Sequence, residues 1–332
     1  MEIGNAQVGI KAETTYGTAV VVDRFFPFIE DGIEPDFGVA SAVDEQRAGS
    51  IVERVDQDDP YVMGASGSFS LYVPTKGFGL LISHAMGAIA TTGPTDSNST
   101  HTGTLSASGK LGKSITYQGV RPFNPAGTAQ PITFEGGKII SMELTLEEGD
   151  YLKATFELDF EDVATATALA TASYLSIAVG GSKFPWRLAT ITIAGSQVEV
   201  KSFRCKVTWP MNVDRRFIRG SALKKEPVPN GKPTIDWDME VEFTDLTQYN
   251  RVAASTIANR IAAIVLTAQG AVALAGATVP QLTLTLPAAR FDSGLPTISG
   301  DEGLMQSLSG IALDDGTNQP ISVAYRTPDA TP

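Results

Sequence analysis

Hydrophobic and polar residues alternate in several segments of the chain, a pattern typical of half-buried β-strands. The alternation is clearest in Ser68–Val73 and in Ile235–Phe243, where every second residue is apolar. Strands are also predicted at Ser114–Gly119, Ile139–Leu146, Leu152–Glu161, Ala262–Gly270 and Gln281–Leu286. Between two of them, Glu148-Gly149-Asp150 has the composition of a hairpin turn. The pattern therefore predicts a mainly β protein.

Two segments have helical features. Lys76–Ala90 is apolar and long enough for a helix that packs against a sheet, and Leu246–Ser255 predicts a shorter helix. Residues 91–113 are rich in Thr, Ser and Gly, and their composition predicts a loop. Residues 36–64 are polar and acidic, and we expect a long loop or arm there.

The order strand, helix, strand, hairpin occurs twice along the chain, which predicts an internal duplication. Ala262–Gly270 resembles Ser114–Gly119, and Gln281–Leu286 resembles Ser141–Leu146. The predicted first unit spans residues 1–165 and includes the arm at 36–64. An Ala- and Thr-rich connection, partly helical in our prediction, occupies residues 166–184, and the second unit spans residues 185–332.

Composition narrows the possible functions. The 332 residues are enough for about two domains. The net charge of −12 lacks the basic footprint of a nucleic-acid-binding domain, because phosphate binding relies on Lys and Arg. The single cysteine, Cys205, permits no disulfide within the chain, which fits assembly in a reducing cytoplasm. We expect no signal peptide and no membrane span.

Acidic residues form rows on the predicted strands, because side chains alternate between the two faces of a strand. Each row lies opposite an apolar face, and the carboxylates are Asp236, Asp238, Glu240 and Glu242 on one strand, Glu157, Asp159 and Glu161 on another, and Glu143 on a third. Such a row is either an ordinary solvated face or a surface that must stay negative.

Basic residues concentrate in one turn-rich segment. They are Arg215, Arg216, Arg219, Lys224 and Lys225. The matching region of the first half carries Arg47 and the acidic residues Asp56, Asp58 and Asp59. Loops of opposite charge in equivalent places could pair between subunits, or they could simply be solvated.

The sequence carries no recognisable catalytic constellation. It contains only two histidines, His84 and His101, and one cysteine, too few for a Cys/His zinc site. It has neither a phosphate-binding loop nor a dinucleotide fingerprint. We therefore predict that the protein is not an enzyme and holds no metal or cofactor.

Several motifs occur in the order seen in one protein family. They are the K-x-E-T-x-Y-G-T opening at Lys11–Thr18, the aromatic run Arg24–Phe28, the strand-to-helix passage Pro74–Leu81, and the closing segments Ser293–Leu313 and Ile321–Thr327. Together they resemble the tail tube proteins of long-tailed bacteriophages, of the actinophage-like kind.

The resemblance implies β-sandwich or β-barrel units with a flanking helix, which form rings that stack into a tube of sixfold symmetry. Two units per chain would require three chains per ring, and one unit would require six. The expected partners are further copies of the chain, the tape measure protein, other tail proteins, and viral DNA only in transit. The protein would be part of the virion, after assembly in the host cytoplasm.

For a tail tube subunit we predict that the acidic rows line the lumen of the tube, since a negative wall opposes adhesion of DNA. The charged loops would join subunits or stacked rings. The alternative is a carbohydrate-binding or adhesin-like β-sandwich on a surface.

Overall fold

The alternating segments form strands in the structure, a computed structural model that describes residues 6–41, 52, 55–121, 129–175, 181–294 and 305–332. The strands of the first half are β1 Gln7–Ala12, β2 Arg24–Phe26, β3 Glu30–Asp31, β4 Glu34–Ser41, β5 Asp58–Tyr72, β6 Gly87–Thr95, β7 Asn98–Leu105, β8 Ile115–Arg121, β9 Gln130–Glu147, β10 Lys153–Phe160 and β11 Asp162–Ala164. Those of the second half are β12 Ala189–Ile193, β13 Ser196–Val198, β14 Val200–Thr208, β15 Met211–Asn212, β16 Val228–Pro229, β17 Thr234–Glu242, β18 Ile261–Gln269, β19 Gln281–Ser293, β20 Met305–Ala312 and β21 Ser322–Thr327. The helices are α1 Gly79–Met86, α2 Ala107–Lys110, α3 Thr247–Val252 and α4 Ile257–Arg260. The predicted mainly β fold is confirmed.

Two groups of four strands share one pairing scheme. In the N-terminal set, β10 lies between β5 and β9, and β8 pairs with β9. In the C-terminal set, β20 lies between β17 and β19, and β18 pairs with β19. A helix follows the first strand of each set, α1 after β5 and α3 after β17. All of these pairings are antiparallel.

The two sets also share their irregularities. The ladder between β9 and β10 skips Ile140, and the ladder between β19 and β20 skips Asp292. A second shift affects the start of β8 and the start of β18 in the same way. Since Leu286 lies opposite Ile264 as Phe134 lies opposite Tyr117, Gln281–Leu286 matches residues 129–134. The predicted match of this segment to Ser141–Leu146 is therefore wrong.

One continuous sheet runs through both sets. Strand β14 pairs with β9 on one side, from Ser202 opposite Glu147 to Thr208 opposite Ser141, and with β17 on the other. The order across this sheet is β4, β5, β10, β9, β14, β17, β20 and β19. The joint between β9 and β14 thus connects the two sets through backbone hydrogen bonds.

The core lies behind this sheet. Strand β9 is long enough to serve two layers: its first half pairs with β8 and β11, and its second half with β10 and β14. Aromatic side chains fill the space between the layers, with Tyr117 against Phe69, Phe134 and Phe160. In the C-terminal set, the ring of Trp237 packs edge-on against Phe291, with centroids 4.7 Å apart. Each set thus forms a small sandwich.

Helix α1 is wholly buried, and lysines bind its C-terminal end. The helix stops at Gly87, which adopts a φ of 91° that suits glycine. Lys110 Nζ donates to the carbonyl oxygens of His84 at 2.7 Å and Ile139 at 2.6 Å. Lys113 Nζ donates to the Gly87 carbonyl oxygen at 2.7 Å. These bonds satisfy carbonyl oxygens at the end of the helix and connect that end to Ile139 of β9.

The structure corrects three predictions of local structure. Residues 91–113, predicted as a loop, contain most of the hairpin β6–β7 and helix α2, because β7 pairs with the distant β21. The arm at 36–64 is not a loop at its base, since β4 and β5 pair there. In its described parts, 166–175 and 181–184, the connection contains bends and isolated bridges but no helix.

Candidate functional site

The continuous sheet has one polar face. Core-facing residues of its strands alternate with polar residues, as the sequence pattern predicts; most of these polar residues are exposed or half-buried, whereas Ser70, Ser141 and Asp159 are buried. Cross-strand pairing aligns these polar residues from strand to strand: Glu157 lies opposite Ser141, and Ser141 opposite Thr208. We call this surface the polar face. It spans β5, β10, β9, β14, β17 and β20.

The polar face is acidic but not uniformly so. Its seven carboxylates belong to Glu143, Glu147, Glu157, Asp236, Asp238, Glu240 and Glu242, and its three cations to Lys153, Arg204 and Lys206. The excess is four negative charges. Six of the eight carboxylates predicted from the sequence are therefore together on one surface.

Two cations of β14 bridge the acidic rows. Arg204 donates from Nε to Glu143 Oε2 at 2.8 Å and from Nη1 to Asp238 Oδ2 at 2.7 Å. Lys206 Nζ donates to Glu157 Oε1 at 2.8 Å, which lowers the pKa of that carboxyl below its usual value. The two cations reduce the repulsion between the carboxylates that they bridge.

The position of Arg204 and Lys206 among the acidic rows was not predicted, because each row was identified from a single strand. The alternation of Phe203, Cys205 and Val207 was the available signal for a strand there. Its position between two acidic strands is a property of the pairing, which the sequence does not display.

Two of the predicted lumen-facing carboxylates are not part of the exposed surface. Asp159 shares the face of Glu157, but it is only 5% exposed and pairs with Lys224 Nζ at 2.5 Å. Burial raises its pKa. Glu161 follows the end of β10 and lies against Gly17 and Gly136, and burial raises its pKa as well. For Asp159 the predicted exposed position is wrong, whereas Glu161 is half-buried and its predicted lumen-facing role stays a prediction.

The basic segment folds onto the N-terminal set of the same chain. Residues 209–233, which we call the second arm, connect β14 to β17. Lys224 reaches Asp159, and Arg216 Nη2 donates to the Met63 carbonyl oxygen at 2.5 Å. Glu226 pairs with Lys138 and accepts from the Gly112 amide at 2.7 Å.

Three further cations of the second arm have contacts inside the arm. Arg215 donates to the Glu226 carbonyl oxygen at 2.6 Å, and Arg219 to the Leu223 carbonyl oxygen at 2.7 Å. The ammonium of Lys225 lies 5.3 Å from the ring centre of Phe217. Lys224 in particular is buried, so its predicted role at a surface between subunits is wrong.

The corresponding segment of the first half, residues 36–64, is the first arm. Its described part exposes apolar side chains, Phe37 at 69%, Val39 at 58% and Val55 at 93%. Asp56, Asp58 and Asp59 are exposed on the same arm. Arg47 lies outside the described residues. The predicted contacts of these acids with other subunits stay a prediction.

The residues with reactive side chains are built into the core. His84 is buried in α1, where burial lowers its pKa to about 4, and His101 lies in β7 against Thr91. Burial raises the pKa of the Cys205 thiol to about 12. Within the described ranges, no cluster of three His, Cys, Asp or Glu could hold a metal ion. No helix there is long and apolar enough to cross a membrane.

Comparison with known proteins identifies the family. A family model described as phage tail tube protein matches residues 4–312, nearly the whole chain. A comparison with curated proteins gives no match. The family match favours a structural tail component over an adhesin-like surface protein, and it fits the mainly β fold and the sheet that joins the two sets. The chain belongs to the phage tail tube protein family, whose members are virion proteins that assemble with copies of themselves and with other tail components into a tube.

Proposed function

We propose that this tail tube subunit is an internally duplicated chain, and that three copies close into a ring of six similar units. The observation that carries the proposal is the joint between β9 and β14, which links two sets of strands with the same pairing order. A joint of this kind inside the chain is a template for the contact between one chain and the next. Three chains repeat it around a closed ring.

The pairing supports a duplication at the level of single residues. Ile140 and Asp292 are skipped at corresponding points of their ladders, and chance similarity of two antiparallel sheets does not require such a match. The strands outside the two sets follow the same scheme. Strand β1 pairs with β8 as β12 pairs with β18, and β11 pairs with β9 as β21 pairs with β19.

We further propose that the polar face lines the bore of the tube. An excess of four negative charges per chain gives twelve per ring of three, within a total formal charge of 3 × −12 = −36. A negative wall repels the phosphate backbone, so that DNA passes without binding. The bridges from Arg204 and Lys206 keep the wall stable without cancelling its sign.

The test is a graded change of charge in phage particles. In the lysine variant, Asp236, Asp238, Glu240 and Glu242 are all replaced by Lys; in the neutral variant, the same positions carry Asn or Gln. We expect tubes to form in both, and DNA ejection to be slowest in the lysine variant and intermediate in the neutral one. High salt should relieve the delay, because phosphate contacts weaken with salt. Normal ejection from assembled lysine-variant tails would exclude the polar face from the bore.

A further inference from the structure

The second arm shows how one set receives an arm. It starts from β14, passes β9 and reaches β10 and the base of the first arm, where Lys224 binds Asp159 and Arg216 binds the Met63 carbonyl oxygen. All of these contacts are within one chain. The N-terminal set therefore has its receiving position filled by the arm of the C-terminal set.

The pairing identifies the same receiving position on the C-terminal set. Ser66 pairs with Asp159 in the N-terminal set, and Asp236 pairs with Ile311 in the C-terminal set. The skipped residues Ile140 and Asp292 align Leu158 with Gly310, so that Ile311 corresponds to Asp159 and Asp236 to Ser66. Met63 lies three residues before Ser66, as Pro233 lies three residues before Asp236, so Pro233 corresponds to Met63.

This second position is an open apolar groove. Its volume is about 640 Å³, and its lining includes Trp209, Pro233, Ile235, Ile311 and Leu313. Ile311 is half-buried where its counterpart Asp159 is buried under Lys224. Exposed apolar surface of this extent is typical of a contact with another protein segment.

The first arm has the matching chemistry but lies too far away in its own chain. Phe37, Val39 and Val55 are more than half exposed. Strand β4 and strand β20 are separated by five strands of the sheet, so the distance is roughly 29 Å at about 4.8 Å per step. A second copy whose β4 lies beside β19, as β14 lies beside β9, would place its first arm over the groove.

We propose that the first arm of a second copy covers the groove at Ile311, in the way that the second arm covers Asp159 within the chain. This inference rests on the proposed duplication and ring. The two arms are not interchangeable, because the basic arm meets an acidic position, whereas the first arm exposes Phe37, Val39 and Val55, which suit an apolar groove. The alternation of two arm types would fix the order of units around the ring.

The experiment uses two variants of the full chain, each with one damaged surface. The groove variant is Ile311→Asp, and the arm variant carries Phe37→Ser and Val39→Ser. Ser307→Asp is the matched control, since Ser307 is exposed on the same strand and the same face outside the groove lining. Circular dichroism and thermal unfolding establish that each variant is folded, and light scattering and native mass spectrometry measure assembly.

We expect each variant alone to need at least about tenfold more protein than the wild type for assembly, the equivalent of about 1.4 kcal/mol. The control should assemble as the wild type does. A mixture of the two variants should stop at a one-to-one heterodimer, because only the intact arm of one and the intact groove of the other can meet.

Other outcomes separate the two proposals. If the wild type forms rings and the arm variant forms them equally well, the first arm does not join copies and this inference is wrong. The proposed ring of three chains is not affected by that result. The same holds if both folded variants fail to assemble but their mixture stays monomeric. If the wild type forms no ring at all, the proposed function itself fails.

Discussion

Single residues decide how firmly the second arm is attached. Lys224 and Asp159 form an ion pair in which both side chains are more than nine-tenths buried. Taking both charges out of water costs several kcal/mol, which their attraction offsets only while both are present. The pair therefore attaches the second arm to the N-terminal set. Removing either side chain leaves the other charge buried without a partner, which destabilises the fold.

Replacing Lys224 with Met should lower the free energy of unfolding by about 3 kcal/mol, because Asp159 would remain buried without its cation. The neighbouring change Lys225→Met is the control, since Lys225 is exposed and its removal should cost less than about 0.5 kcal/mol. Urea unfolding followed by circular dichroism measures both. Equal losses for the two variants would mean that the ion pair contributes nothing specific.

A second residue-scale prediction concerns pH. Burial, with help from Lys138 and Lys113, lowers the pKa of Lys110 to about 7. In the unfolded chain the pKa returns to its usual value near 10.5, so the unfolded state binds more protons between these limits and stability rises with pH there. The difference in unfolding free energy between wild type and Lys110→Met should grow between pH 7 and 8.5, by at most about 1.4 kcal/mol per pH unit. A difference independent of pH would contradict this.

At the scale of elements, β14 is the strand on which the architecture depends. It has partners on both sides, β9 and β17, and its core face carries Cys205 at 2% exposure. The thiol has a raised pKa and no access to solvent, so it is unreactive while the joint is intact.

Cys205 therefore reports on the joint. Its labelling by a maleimide in increasing urea should follow the same midpoint as the loss of β-structure seen by circular dichroism, because the joint opens only with the whole sheet. The reference is a sample labelled in full denaturant, which gives the signal of completely labelled Cys205. Labelling that precedes the loss of β-structure would show that the two sets separate first and that the sheet is not one cooperative unit.

The elements that sequence could predict are those with local signals. Alternation located β17, β18 and β10, and the apolar stripe located α1, which ends earlier than predicted because Gly87 stops it. Strands β6 and β7 were missed because their Thr-rich composition resembles a loop and because β21, the second partner of β7, lies more than 200 residues away. The buried position of Asp159 was missed for the same reason, since Lys224 is distant in sequence.

At the scale of the whole molecule, we propose that the contacts inside one chain are a template for the contacts between chains. The joint between β9 and β14 and the contact of the second arm with Asp159 are both internal, and under the proposed duplication each has a counterpart that a second copy would complete. The acidic rows were predictable as rows, but their union into one surface follows only from the cross-strand pairing.

We propose above all that two similar units in one chain allow three chains to form a ring around a negatively charged bore. Electron microscopy of assembled tubes, viewed along the axis and combined with a mass measurement per ring, tests it most directly. We expect three chains and six similar lobes per ring, with Asp238, Glu240 and their neighbours facing the bore. Six chains per ring, or a polar face on the outside of the tube, would contradict it.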